Sequence, residues 1–326
     1  MNIAIVRLSA IGDIVQSMIV LQFIKKKFPD ASIDWFVDKQ FSNLLDDCIE
    51  IDNVIELDIK KIKQKRSFIL LFRTLKQLRT FKRYDYVFDL QGLIKSAIIT
   101  RFIPARERIG FDKNSIREKL ASYFYTKKYY FPYHQNVVKR YVNIVASTLN
   151  IAVSEHEIKY KKPFFNLSSN KVKKNHPNIL IILGASFESK IYAVEKYAEI
   201  VNSFQANYTA LWHSKKEFVM AERLQSLCEN LAINNCENFS ELKKMVINSD
   251  IVIGGDTGPT HIAWALNTPS ITIFGSTPLE RNCFITDKNL AVSSGNKVDA
   301  YNIDKHDFSI NLIKPEVILT LIKGLL

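Results

Sequence analysis

At 326 residues the chain exceeds the usual size of one compact core, and two domains of roughly 150 residues each are expected. An apolar content of 47% with 24% charged residues excludes a long disordered or fibrous chain. The net charge of +12 suits nucleic acid, an anionic membrane surface or a phosphorylated substrate, and alone chooses none of them.

The opening run MNIAIVRLSAIGDIVQS is apolar, but Arg7 and Asp13 interrupt it and no small-residue cleavage site follows, so it reads as a core strand and helix, not a signal peptide. Residues 3–7 form the strand. A loop through Ser9, Ala10, Ile11 and Gly12 then leads into a helical apolar pattern ending near Pro29. Gly12 permits a tight turn, and Asp13 falls in the first helical turn. There it is either a cap stabilised by the helix dipole or, at the carboxyl end of a strand, a base for an acceptor hydroxyl.

A second strand at 33–37 precedes a dense basic run, Lys60, Lys61, Lys63, Lys65 and Arg66, which Arg73, Lys76, Arg79, Lys82 and Arg83 continue through a helical stretch at 68–80. A strand at 86–90 ends in Asp89, Gln91, Gly92, Lys95 and Ser96, a polar turn. With the basic run and Arg117 it would make the first domain electropositive on its acceptor side. Helices are expected at 116–125 and 137–149, and the polar stretch 163–177 reads as a linker.

The alternation then restarts. Strands are expected at 178–183, 209–212, 250–254 and 270–274, and helices at 194–204, 217–231, 240–248, just after Gly258, and at 314–326. The fold class is therefore α/β, with parallel strands in two Rossmann-like domains, residues 1–165 and 166–326, and ligands in a cleft where strand ends face one another. The last helix is expected to pack back toward the first domain.

The richest motif is Gly254-Gly255-Asp256-Thr257-Gly258-Pro259-Thr260-His261, a strand end, a glycine turn and a helix start. Backbone N–H groups at a helix N-terminus cradle anions, and proline suits the first helical position. The motif lacks GK[ST] and GxGxxG, which argues against ATP hydrolysis and NAD. A diphosphate held without a metal fits best. His261 either donates to phosphate or is a satisfied core histidine; Lys190, after the loop Gly184-Ala185-Ser186, is either a point charge for the diphosphate or a solvated lysine. The cysteines, Cys48, Cys228, Cys236 and Cys283, lack metal-ligand or CxxC spacing and read as buried thiols in a reducing cytosol. No run reaches the ~18 apolar residues of a spanning helix.

The segments RLSAIGDIVQS, YDYVFDLQGLIKSA and IVIGGDTGPTHIAWALNTPSITIFG, in this order and covering nearly the whole chain, resemble the ADP-heptose:lipopolysaccharide heptosyltransferase family, glycosyltransferase family 9. The likeness is strongest to its type I members, which add the first heptose to Kdo of the inner core. It implies a glycosyltransferase-B fold and an inverting, metal-independent transfer from ADP-L-glycero-D-manno-heptose, with no cofactor. Asp13 would be the general base and Lys190 its catalytic partner. Ser186, Lys190, Glu217 (ribose), Phe239 (adenine), Asp256, Thr257, Gly258 and His261 would hold the donor. Ser9, Gly12, Lys60, Lys61, Gln91, Lys95 and Arg117 would line the acceptor side.

By the same likeness the partners are ADP-heptose and a Kdo-lipid A acceptor, and not nucleic acid. The protein would be a cytoplasmic monomer lying peripherally on the inner membrane. Two departures touch the acceptor: Ile191-Tyr192 replaces a family tryptophan after the lysine, and Asn136, with His134 nearby, replaces a family histidine. The alternatives are a type II or III enzyme acting on a heptosylated core and, from another class, a non-catalytic nucleotide- or nucleic-acid-binding module.

Overall fold

The computed structural model describes residues 1–171 and 175–326 and divides into two compact units, Met1–Lys161 and Lys162–Leu326. Each is built on one six-stranded, all-parallel sheet.

In the first unit the strands are β1 (Asn2–Val6), β2 (Ser32–Asp38), β3 (Asn53–Leu57), β4 (Tyr84–Asp89), β5 (Ala105–Phe111) and β6 (Lys127–Tyr129), in the order β3-β2-β1-β4-β5-β6. The second unit has β7 (Asn178–Ile182), β8 (Asn207–Trp212), β9 (Leu231–Asn235), β10 (Ile251–Gly255), β11 (Ser270–Phe274) and β12 (Asn289–Ser293), in the order β12-β11-β10-β7-β8-β9. Counted from its own first strand, each sheet runs 3-2-1-4-5-6, the doubly wound dinucleotide-fold order.

The central strands explain themselves. Ile3, Ala4, Ile5 and Val6 of β1 are wholly buried, as are Ile251, Val252 and Ile253 of β10. Continuous apolar runs rich in Ile and Val are what a parallel strand covered on both faces requires. Each Ile or Val among them contributes about 1.5–3 kcal/mol on burial.

Local structure refines the reading in several places. The first helix is two, Ile11–Ser17 and Ile19–Lys27, meeting at Met18. The stretch expected to be helical at 116–125 contains only a 3-10 turn, Lys119–Phe124. The helix expected at 217–231 is Lys215–Ser226, and Leu231 already opens β9.

The boundary between units falls a few residues before 165, because the start of the expected linker belongs to the second unit. Phe164 and Phe165 are buried, the Phe164 amide donates to the Ala265 carbonyl at 3.0 Å, and the Phe164 ring packs edge-on against Trp264. Residues 172–174 of that stretch lie outside the described residues. The final helix, Pro315–Leu325, which the sequence reading carried toward the first domain, buries Ile318 and Ile322 in the second unit's own core beside Ile310 and Ile313. Among the described residues no helix is long and apolar enough to cross a membrane.

Candidate active site

In a doubly wound sheet, ligands bind beyond the carboxyl ends of the strands where the strand order reverses. In the first unit that point lies between β1 and β4, and the loops leaving these two strands carry the motif residues. Arg7, one residue past β1, is buried and reaches two ways. One guanidinium nitrogen donates to the Leu90 carbonyl at 2.7 Å, and the other pairs with Asp13 Oδ2 at 2.7 Å. The Arg7 side chain is 6% exposed and that of Asp13 42%. Burial works against the Arg7 charge, but Asp13, Tyr141 and Asp89 outweigh it and raise its pKa.

Gln91 ties the two loops together: its Oε1 accepts from the Leu8 amide at 3.0 Å and its Nε2 donates to Ser9 Oγ at 3.2 Å. Lys95 Nζ reaches the same hydroxyl at 3.2 Å. Partial burial, with Arg7 and Lys63 nearby, lowers the Lys95 pKa against the pull of Asp38. Beneath them Asp89 is wholly buried. It accepts from the Gln91 and Gly92 amides and, at 2.7 Å, from the Tyr125 hydroxyl. Gly92 takes φ +69°, and a Cβ there would lie 2.7 Å from Ile116, so glycine is demanded twice.

Ser9, Gly12, Asp13, Gln91 and Lys95 are thus brought to one switch point. Lys60 and Lys61 stand exposed on the helix Ile59–Lys65, joined to β2 where the Lys60 amide donates to Asp38 Oδ2 at 3.2 Å. Arg117 is exposed beside Glu118, whose carboxylate accepts from the Ile94 amide at the start of the helix Ile94–Phe102. Asn136, one of the departures, caps the helix Val137–Leu149 by accepting from the Val138 and Lys139 amides, while His134 is exposed.

The second unit's switch point lies between β7 and β10. The loop after β7 ends in a short turn, Glu188–Lys190, anchored where Ser189 and Ser276 share a hydroxyl contact at 3.0 Å. Lys190 Nζ lies 3.1 Å from Asp256 Oδ2, and His261 Nε2 lies 3.0 Å from Asp256 Oδ1. Asn282 Nδ2 donates to Oδ2 at 3.1 Å. The Lys190 side chain is 12% exposed and that of Asp256 6%. Burial opposes the charge on Asp256, but Lys190 and His261 more than offset it and hold the carboxyl far below the usual carboxylate range.

Backbone approach is close here: a Cβ on Gly255 would fall 2.4 Å from the Lys190 carbonyl oxygen. After Asp256, Thr257 precedes the helix Gly258–Ala265. The Thr257 amide points to Thr260 Oγ1 at 3.4 Å, and Pro259 occupies the first turn. His261 is buried, with its Nε2 engaged by Asp256.

The remaining donor-side residues all follow carboxyl ends of strands. Ser186 is exposed on the loop after β7, and Phe239 opens the helix Phe239–Asn248 after β9. Glu217 follows β8 and closes a capping box. Its Oε2 accepts from the His213 and Ser214 amides at 2.7 and 3.1 Å, and Ser214 Oγ accepts from the Glu217 amide. Its Oε1 packs so near Gly184 that a Cβ there would be 1.9 Å away. Tyr192, the other departure, is buried, stacks edge-on with Tyr197 and donates to the Ile313 carbonyl at 2.9 Å, which makes it part of the core.

Sequence reasoning named most of these side chains but not Arg7 as the partner of Asp13, nor Asn282. A charge placed directly after a wholly apolar strand was the available signal for Arg7. Asn282 lies 26 residues from Asp256, at the end of the short helix Leu279–Asn282, and gave none.

The model of "Glycosyltransferase family 9 (heptosyltransferase)" matches residues 71–308. The lipopolysaccharide heptosyltransferase 1 of Campylobacter coli is 39% identical, the alignment covering 100% of this chain and 99% of that protein. The lipopolysaccharide heptosyltransferase 1 of Pseudomonas aeruginosa is 26% identical over 85% of this chain and 79% of its own length. Among solved structures, the Escherichia coli heptosyltransferase WaaC with ADP superposes with a TM-score of 0.82 at 20% identity, covering 100% of both chains, and supports the glycosyltransferase-B fold.

Proposed function

Since the chain belongs to glycosyltransferase family 9, we propose that it transfers L-glycero-D-manno-heptose from ADP-heptose to a Kdo residue of the lipopolysaccharide inner core. The observation that carries this reading is the 39% identity, over the full length of both chains, to a relative named lipopolysaccharide heptosyltransferase 1. The type II and III alternatives have no comparable support, and membership of an enzyme family removes the reading as a non-catalytic module.

The two switch points divide the chemistry. Asp13, held by Arg7 with its carboxylate toward solvent, accepts the proton of the acceptor hydroxyl as that oxygen attacks the anomeric carbon. ADP leaves from the opposite face, so the configuration inverts in one displacement. Negative charge growing on the departing diphosphate is met by Lys190 and by the N-terminus of the helix Gly258–Ala265. Asp256 fixes the ammonium of Lys190 and the ring of His261, so that little reorganisation is needed when charge develops. Because these groups supply the positive charge, the reaction proceeds without a metal ion.

Incubation with ADP-heptose and a Kdo-lipid acceptor in EDTA, followed by mass spectrometry of the lipid, tests the reading. Addition of one heptose is expected. Transfer only to an already heptosylated core, or transfer only when a divalent ion is restored, would overturn the acceptor assignment or the metal-free mechanism respectively.

A further inference from the structure

The helix Phe68–Leu78 has two apolar faces, and only one is used. Leu78 is buried and Leu75 packs against the first unit's core, while Phe68, Ile69 and Phe72 are 85%, 67% and 69% exposed. Single exposed apolar side chains are ordinary, but three neighbours on one helical turn are not.

Their surroundings are as unusual as their exposure. Residues 58–83 contain ten Lys and Arg against one acidic residue, Asp58. Five of the basic residues lie before the apolar turn and five after it. Arg73 and Lys76 are exposed on the next turns of the same helix. An apolar tip of aromatic and branched side chains within a cationic rim matches the boundary between acyl chains and anionic headgroups. Folding against an acidic protein groove would need no such tip, and binding a polyanion in water would leave it wet.

We propose that Phe68, Ile69 and Phe72 insert into an anionic lipid bilayer, with the flanking Lys and Arg side chains on its headgroups. The surface adjoins the site: the helix Ile59–Lys65 leading into it is held to Asp38 by the Lys60 amide, and Lys95 near Asp38 touches Ser9. Docking there presents the acceptor side of the first unit to lipids in the same leaflet. This rests on the reading of a lipid-linked acceptor and deepens it by assigning the residues that find the membrane.

The test is flotation of the full-length protein with vesicles of phosphatidylethanolamine and phosphatidylglycerol, and with vesicles of phosphatidylcholine alone. Binding to the anionic vesicles only is expected. The triple variant Phe68→Ser, Ile69→Ser, Phe72→Ser should lose at least ~10-fold in partitioning, and Arg73→Gln with Lys76→Gln about fivefold per residue. Circular dichroism should show both variants folded, and the triple variant should keep wild-type turnover on a water-soluble acceptor.

Failure of the wild type to float with anionic vesicles, or equal flotation of the triple variant, overturns the proposal. So does a lipid-free dimer that the triple variant abolishes, since the patch would then join two copies. Vesicle binding needs neither donor nor acceptor, so its failure is separable from failure of the heptosyl-transfer reading.

Discussion

The two units share one strand order, yet their switch points are built with opposite polarity. In the first, the cation is sealed and the acid reaches out: Arg7 is 6% exposed and Asp13 42%. In the second, the acid is sealed deepest at 6%, with Lys190 above it at 12% and a helix N-terminus alongside. On the proposed reading, one scaffold offers a base on one unit and an anion receptor on the other. The difference lies in which member of an Arg/Asp or Lys/Asp pair is placed directly after the strand.

If that contrast is right, the two acids should fail differently. Asp256→Asn removes the partner of two buried groups, Lys190 and His261, and should destabilise the fold by about 3–5 kcal/mol in urea denaturation at neutral pH. Because folding depresses the Asp256 pKa, its contribution is present above the unfolded value of about 3.9 and is lost as pH falls through the folded one. The gap between wild type and variant should therefore narrow below about pH 4. A gap that does not change with pH would mean Asp256 is not the ionised centre of its cluster.

Asp13→Asn should do the reverse. Its carboxylate faces solvent and Arg7 keeps the Leu90 carbonyl, so stability should fall less than in Asp256→Asn, while loss of the general base should lower turnover by at least ~100-fold. Steady-state transfer kinetics alongside thermal melts would show it, and near-normal turnover would remove Asp13 from that role. A smaller effect sharpens the geometry of the second site. Gly255→Ala forces a methyl against the Lys190 carbonyl, and overpacking of this kind costs about 1–3 kcal/mol. Reduced ADP affinity, measured by calorimetry, should accompany it.

The same contrast separates what could be read in the sequence from what could not. Central strands such as β1 and β10 were legible because burial on both faces demands unbroken apolar runs. All four edge strands were missed: β3 (NVIEL), β6 (KKY), β9 (LAINN) and β12 (NLAVS) are short, polar or half-exposed, as edges must be to avoid pairing with other chains. β5 (ARERIGF) was hidden by its charges.

The glycine turn at 254–258 and the early aspartate stood out because both follow a strand at once and their residue types suit few purely structural turns. What escaped were pairings across sequence, Arg7 with Asp13 and the Leu90 carbonyl, Tyr125 with Asp89, and Asn282 with Asp256. No local pattern encodes them. Glu217 was anticipated as a ribose contact, and the structure shows one of its oxygens held in a capping box, which leaves only the oxygen beside Gly184 for any ligand.

Titration of ADP into wild type, Asp13→Asn and Lys190→Gln by calorimetry tests the division of labour most directly. Wild-type affinity is expected for Asp13→Asn and a loss of about tenfold or more for Lys190→Gln, the scale of a charge-assisted contact to phosphate. Weakened ADP binding in Asp13→Asn, or undiminished binding in Lys190→Gln, would contradict that division.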